Sequence, residues 1–129
     1  MAIPEHVPYL ATATAAATTV ASEDQPGSGY IPSWVDFVVV TSASSANFIV
    51  LNSVAIQGKR IWGTVGANGF KLQTFTGSAQ TINNVNTATT AVAVIPANAT
   101  FLLVKSLTTG WILTYYTNLG AVGTAIVPA

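Results

Sequence analysis

The chain reads as an all-β protein: an antiparallel β-sandwich or jelly-roll-like domain of about eight strands, carrying an extended N-terminal arm. Three observations predict it. Val, Ile and Thr make up about a third of the 129 residues, and β-branched side chains suit a pleated surface better than a helix. Short apolar runs recur at spacings of about 8–12 residues between Gly, Asn and Pro turn signals, the pattern of a sandwich or small barrel. No helical periodicity competes with them.

Residues 1–33 read as arm and linker. The stretch 11–21, ATATAAATTVA, holds no large apolar anchor and cannot by itself offset the entropy of ordering. Ser22–Gly29, SEDQPGSG, is linker-like punctuation that marks a boundary. Ordering on a neighbouring subunit, a free tail and a short Ala-rich helix all fit such a segment, the interleaved Thr residues counting against the helix. Residues 34–129 form the β-domain with a short C-terminal tail. Its expected strands are Trp34–Thr41, Ala46–Leu51, Arg60–Val65, Phe70–Thr76, Gln80–Val85, Thr90–Ile95, Thr100–Ser106 and Trp111–Thr117. Gln57-Gly58, Asn68-Gly69, Gly77-Ser78, Asn83-Asn84, Pro96-Ala97-Asn98 and Thr109-Gly110 separate or bend them. Asn68-Gly69 between apolar runs is a strong hairpin cue.

Faces can be assigned from the alternation of strand side chains. In Phe70–Phe75 one face is mainly apolar and the other mostly polar. Phe37–Val40 and Phe101–Val104 are apolar on both faces, which predicts burial twice, once in the chain's own core and once under another chain or sheet. Phe37, Val39, Phe101 and Leu103 are therefore the candidate interface positions. Trp111, Tyr115 and Tyr116 are added as aromatic anchors.

The charge inventory removes whole classes of function. Only 6% of residues are charged, and four Lys+Arg balance four Asp+Glu. An average soluble protein has about a quarter. No field is available for a polyanion, so nucleic-acid binding is not expected. A single His and no Cys leave little for metal, thiol or disulfide chemistry, and no cofactor is expected. His6 beside Glu5 is the one imidazole–carboxylate neighbourhood, and it lies in the arm, away from any rigid shell. Asp36 is expected to pair with Lys59 or Arg60, or simply to be exposed, rather than to act as an acid. Gly63–Gly69 imitates a phosphate loop but is followed by a strand pattern, so it reads as a turn. An enzyme is not expected. No apolar run approaches the ~20 residues of a spanning helix, and the first ten residues lack the basic and apolar regions of a secretory leader. A near-neutral, ion-poor surface instead favours permanent association.

The order Gly58-Lys59-Arg60-Ile61, Asn68-Gly69-Phe70-Lys71-Leu72, Thr81-Ile82-Asn83-Asn84, Phe101-Leu102-Leu103-Val104 and Gly110-Trp111-Ile112-Leu113 resembles a β-sandwich module of tailed-phage virion proteins. That module occurs at the ends of tail fibres and in capsid-associated proteins, and the likeness covers about residues 35 to 117. It implies a structural role in the virion without catalysis. The short arm fits an outer-capsid decoration (cement) protein, a class that commonly forms homotrimers on the major capsid protein. By that resemblance the arm would lie on the capsid, with Ile3, Val7, Tyr9 and Leu10 as its contacts. The alternative it implies is a fibre tip that binds a host receptor or glycan through Trp62, Trp111 or Tyr116.

Overall fold

Residues 8–19 and 29–129 are described by the computed structural model of the chain. Its first six strands alternate between two sheets. Strands β1 (Leu10–Thr14), β3 (Phe37–Thr41) and β5 (Arg60–Val65) lie in the larger sheet, and β2 (Tyr30–Ile31), β4 (Phe48–Leu51) and β6 (Phe70–Thr74) in the smaller. Each strand lies parallel to the one it follows in its own sheet. A parallel return needs a crossover, and here the crossover is the visit to the opposite sheet. The result is three stacked coils, a solenoid-like arrangement in which Leu10, Phe37 and Trp62 stand in one line and Tyr30 beside Val50 in another.

The remaining strands close the lower end with mostly antiparallel pairing. After the short hairpin β7 (Thr81–Ile82) and β8 (Val85–Asn86), β9 (Ala93–Ile95) pairs with β6. Then β10 (Thr100–Leu107) pairs with β5, β11 (Gly110–Tyr116) with β10, and β7 with β11. The larger sheet thus runs β1-β3-β5-β10-β11-β7-β8 and the smaller β2-β4-β6-β9. The all-β expectation and two sheets are present; pairing that is antiparallel throughout is not. Five of the nine strand pairings among the described residues are parallel. Alternation over five residues looks the same in either direction, so the pattern that identified the strands carried no information about their partners.

Two turns show what the local signals mean. Asn83 and Asn84 both adopt positive φ, 49° and 65°, and form the two-residue turn of the β7–β8 hairpin. The expected strand Gln80–Val85 is thereby split in two. Asn68-Gly69 makes no hairpin, because β5 and β6 belong to different sheets. Gly69 is required for a different reason: a Cβ there would lie 2.4 Å from the Ile95 carbonyl oxygen. Asn68 turns its side chain to the coil above, its Nδ2 donating to the Ser42 carbonyl at 2.9 Å. Asn47 does the same to the Ala15 carbonyl at 3.3 Å, and buried Asn52 to that of Ile31 at 3.2 Å. Corners between sheets strand backbone carbonyls, and these amides satisfy them.

β1 also corrects the reading of residues 10–14 as arm. It is a strand of the chain's own sheet, with Ala13 and Ala15 buried beneath it. The absence of a large anchor proves unimportant because backbone bonds to β3, not side-chain volume, hold this strand.

The core lies between the sheets, where Ile49, Leu51, Leu72 and Ile95 of the smaller meet Val38, Val40, Ile61, Phe101, Leu103 and Trp111 of the larger. Phe101 sits opposite Gly63 and edge-on to Phe70, with ring centroids 5.9 Å apart. A Cβ at residue 63 would lie 2.2 Å from the Phe101 ring. Gly63→Ala is therefore expected to cost about 1–3 kcal/mol through overpacking, with partial recovery in Gly63→Ala/Phe101→Leu. Denaturant melts check this, and a Gly63→Ala protein as stable as the wild type would disprove the close packing.

Candidate docking surface

Backbone register places the outward side chains of the larger sheet in rows. One row runs Leu10, Phe37, Trp62, Leu102, Thr114, and the next Thr12, Val39, Thr64, Thr100, Tyr116. Arg60, Val104 and Ile112 form a third. The Thr14 and Thr41 hydroxyls meet at 3.3 Å on the same face. Trp62, 39% exposed, stacks against Tyr116 across β10, with centroids 6.2 Å and planes 27° apart. Across these rows Arg60 is the single ionisable group apart from the Tyr116 phenol, and apolar or hydroxyl side chains fill the other positions. The face is thus uncharged except at Arg60, with apolar and hydroxyl side chains interleaved.

The expected interface residues divide on either side of that sheet. Phe37, Val39 and Tyr116 lie on the outer face, as does Leu10. Phe101, Leu103 and Trp111 point the other way and are fully buried in the chain's own core, so they are not available to a partner. The double-faced run Phe101–Val104 contributes its odd-numbered residues to the core; its outward members are Leu102 and Val104. Tyr115 is half-buried, its ring lying where a Cβ on Gly123 would clash at 2.0 Å. Ile3 and Val7 lie outside the described residues. Trp34 and Ile112 are exposed, and Leu102 and Val104 are half-buried on the outer face; for the three strand residues the signal was the pairing register, which single-strand alternation does not reveal.

A second feature lies where the coils begin. A groove of about 290 Å³ runs along β1, lined by Leu10, Ala11, Thr12 and Ala13 on one side and by Tyr30, Pro32, Trp34 and Val38 on the other. Tyr9 meets Trp34 edge-on at 6.4 Å beside it. The Asp36 carboxylate anchors this end, accepting from the Tyr9 backbone N–H at 2.9 Å and from Lys59 Nζ at 2.8 Å. Of the two partners expected for Asp36, the structure selects Lys59.

No group of three His, Cys, Asp or Glu side chains converges among the described residues. Lys105 is a buried amine, 1% exposed. Its Nζ donates to Gln80 Oε1 at 3.2 Å and lies 5.0 Å from the centre of the Trp111 ring. Trp111 Nε1 donates to the same oxygen at 3.1 Å, and Gln80 Nε2 donates to the Ser53 carbonyl at 2.8 Å. The amine faces a neutral carbonyl oxygen rather than a carboxylate, and burial lowers its pKa from the ordinary 10.5. A lowered amine pKa means that the unfolded chain binds more protons in the window between the folded value and 10.5. Stability therefore rises with pH through that window and carries the full cost of the charge below it. In Lys105→Met the Gln80 oxygen keeps its bond from Trp111. We expect this variant to be about 1 kcal/mol more stable at neutral pH and to lose that alkaline rise. Melts of both proteins from pH 7 upward separate the amine from the tyrosines common to both; a variant less stable at neutral pH would contradict the assignment.

No protein-family model, curated protein or solved structure matches the chain.

Proposed function

We propose that the chain is a non-catalytic structural subunit of a virus particle, seated on the outside of the capsid shell and reinforcing it, with the major capsid protein as its partner. The observation that carries this reading is the outer face of the larger sheet, five strands wide and almost free of ions. Such a face can be covered without burying unpaired charge. The order of motifs that resembles virion β-modules supports the same reading, as does a composition only 6% charged.

Magnitudes decide how it would act. Covering a patch of roughly 400 Å² yields a transfer term of about 10 kcal/mol at ~25 cal/mol per Å². Association costs roughly 4–15 kcal/mol, so one copy holds weakly and many linked copies hold firmly. Reinforcement is then a collective property of the decorated shell.

The test uses the virus whose genome encodes the chain. Gradient-purified particles should contain it in copy number comparable to the shell protein, and particles lacking it should open at lower temperature. Trp62→Asp/Ile112→Asp should leave the isolated protein folded but reduce its retention on particles at least tenfold. Absence from purified particles, or heat resistance unchanged by its removal, would overturn the proposal. A glycan-binding fibre tip is favoured by one observation, the exposed Trp62–Tyr116 stack flanked by Thr64, Thr100 and Thr114. Binding to a glycan array that is lost in Trp62→Ala would select that reading instead.

A further inference from the structure

We infer that the free edge of β1 pairs antiparallel with β1 of a second copy, about a two-fold axis beside Ala11, joining two larger sheets edge to edge. The inference rests on reading the chain as a subunit that associates with copies of itself, and it names the contact.

Backbone direction is the first argument. Tyr9 gives its carbonyl to Phe37 N–H at 3.1 Å, and Ala15 N–H donates to the Thr41 carbonyl at 2.9 Å. Odd-numbered residues of this strand therefore face β3, and the N–H and C=O groups of Leu10 and Thr12 face away from it. Among the described residues no strand pairs with that side. At the far end the Thr14 carbonyl is taken by Gly29 N–H, and between them Leu10 and Thr12 offer two donors and two acceptors. Antiparallel pairing of Leu10 with Thr12 of the second copy, and of Thr12 with its Leu10, uses all four. An edge whose donors and acceptors satisfy themselves under a two-fold is a template for its own copy.

Side chains agree with that register. It sets Tyr9, 62% exposed, opposite Ala13 of the second copy, which lines the groove beside β1. Each copy thus brings an aromatic ring to the other's groove. Among the described residues no ionisable group other than the Tyr30 phenol lines the groove, and Asp36 beside it is engaged by Lys59 and the Tyr9 N–H. Between Leu10 and Thr14 there is no Lys, Pro or bulge of the kind that protects sheet edges.

Area sets the strength. Tyr9, Leu10 and Trp34 are 62%, 68% and 51% exposed, and aromatic side chains carry ~150–250 Å² each. Leu10 stays on the outer face, so the side chains covered are Tyr9 and Trp34; on both copies they remove roughly 450 Å², and with the paired strands the total stays below the ~1,000 Å² of stable interfaces. The expected dimer is weak, with a dissociation constant in the high micromolar range. Because the axis is normal to the sheet, both outer faces look the same way, and the pair would present one doubled surface to a shell.

Sedimentation equilibrium of the purified full chain checks this. The wild type should fit a monomer–dimer equilibrium with a high-micromolar dissociation constant. Thr12→Pro removes an N–H that its own fold does not use, and should weaken dimerisation at least tenfold with near-wild-type circular dichroism. Tyr9→Ala, which leaves the strand backbone intact, should weaken it by a similar factor and covers the case in which the proline disturbs folding. A monomer at millimolar concentration, a three-copy species, or dimerisation unmoved by Tyr9→Ala would overturn the inference. The two readings fail separately: variants that are monomeric yet still reinforce particles leave the shell role standing, whereas a dimer with no affinity for particles removes the shell role alone.

Discussion

The in-register parallel stacking of β1 on β3 and of β3 on β5 is the constraint from which the rest of the molecule follows. Once Leu10, Phe37 and Trp62 share a line, the period of two along each strand dictates everything else about the sheet. Ala11, Val38 and Gly63 must turn inward, and Thr12, Val39 and Thr64 outward. A slip of one residue in any coil would send Val38 and Val40 to the surface and Val39 to the core. The corner amides of Asn47, Asn52 and Asn68 work against such a slip, since each bonds a particular carbonyl of the adjacent coil. A stack of coils is thus held twice, by ladders along the strands and by side-chain bonds at the turns.

Stacking also has ends, and this chain treats its two ends differently. Below β5 and β6 the stack is closed: β9, β10 and β11 reverse direction, the β7–β8 hairpin extends the sheet, and Ala129 exchanges two backbone bonds with Val92. Lys105 is buried at this closed end, where Gln80 accepts from both its amine and the Trp111 indole. Above β1 no such cover exists among the described residues. Repeat architectures generally need polar caps at both ends. The described residues leave Tyr9, Leu10 and Trp34 exposed at this end, the end at which the proposed second copy would add its own strand.

Much of this was legible in the sequence, and the part that was not has a common cause. Strand-forming runs, the Asn83-Asn84 turn and the Asp36–Lys59 pair depend on local propensity or on a very small set of charges, so few alternatives compete. What single-strand patterns do not contain is the partner. Phe101–Val104 announces burial on both faces, yet only the pairing of Phe101 with Gly63 shows that its odd members are core. Asn68-Gly69 has the chemistry of a hairpin turn, and its glycine is instead explained by the carbonyl of Ile95, distant in sequence. The Ala/Thr stretch at β1 lacks anchors because at the end of a stack a strand needs backbone partners and a small inner surface more than bulk.

The scarcity of ions acquires a physical meaning from this arrangement. Apart from the buried Lys105 amine, charge serves here as a latch: Asp36 ties the entry of β1 to β5 through Lys59. Elsewhere, satisfaction of buried polar groups falls to Asn, Gln and Thr, as in the Thr74–Thr87 hydroxyl pair at 2.9 Å and the Gln73 amide bonded to the Thr89 carbonyl. Neutral groups of this kind can be transferred from water to an interface at modest cost when they keep a partner. A sheet face built from them is wettable when alone and dry when covered. Arg60 apart, the proposed partner would cover such a surface without leaving an ion deprived of water or a counter-charge.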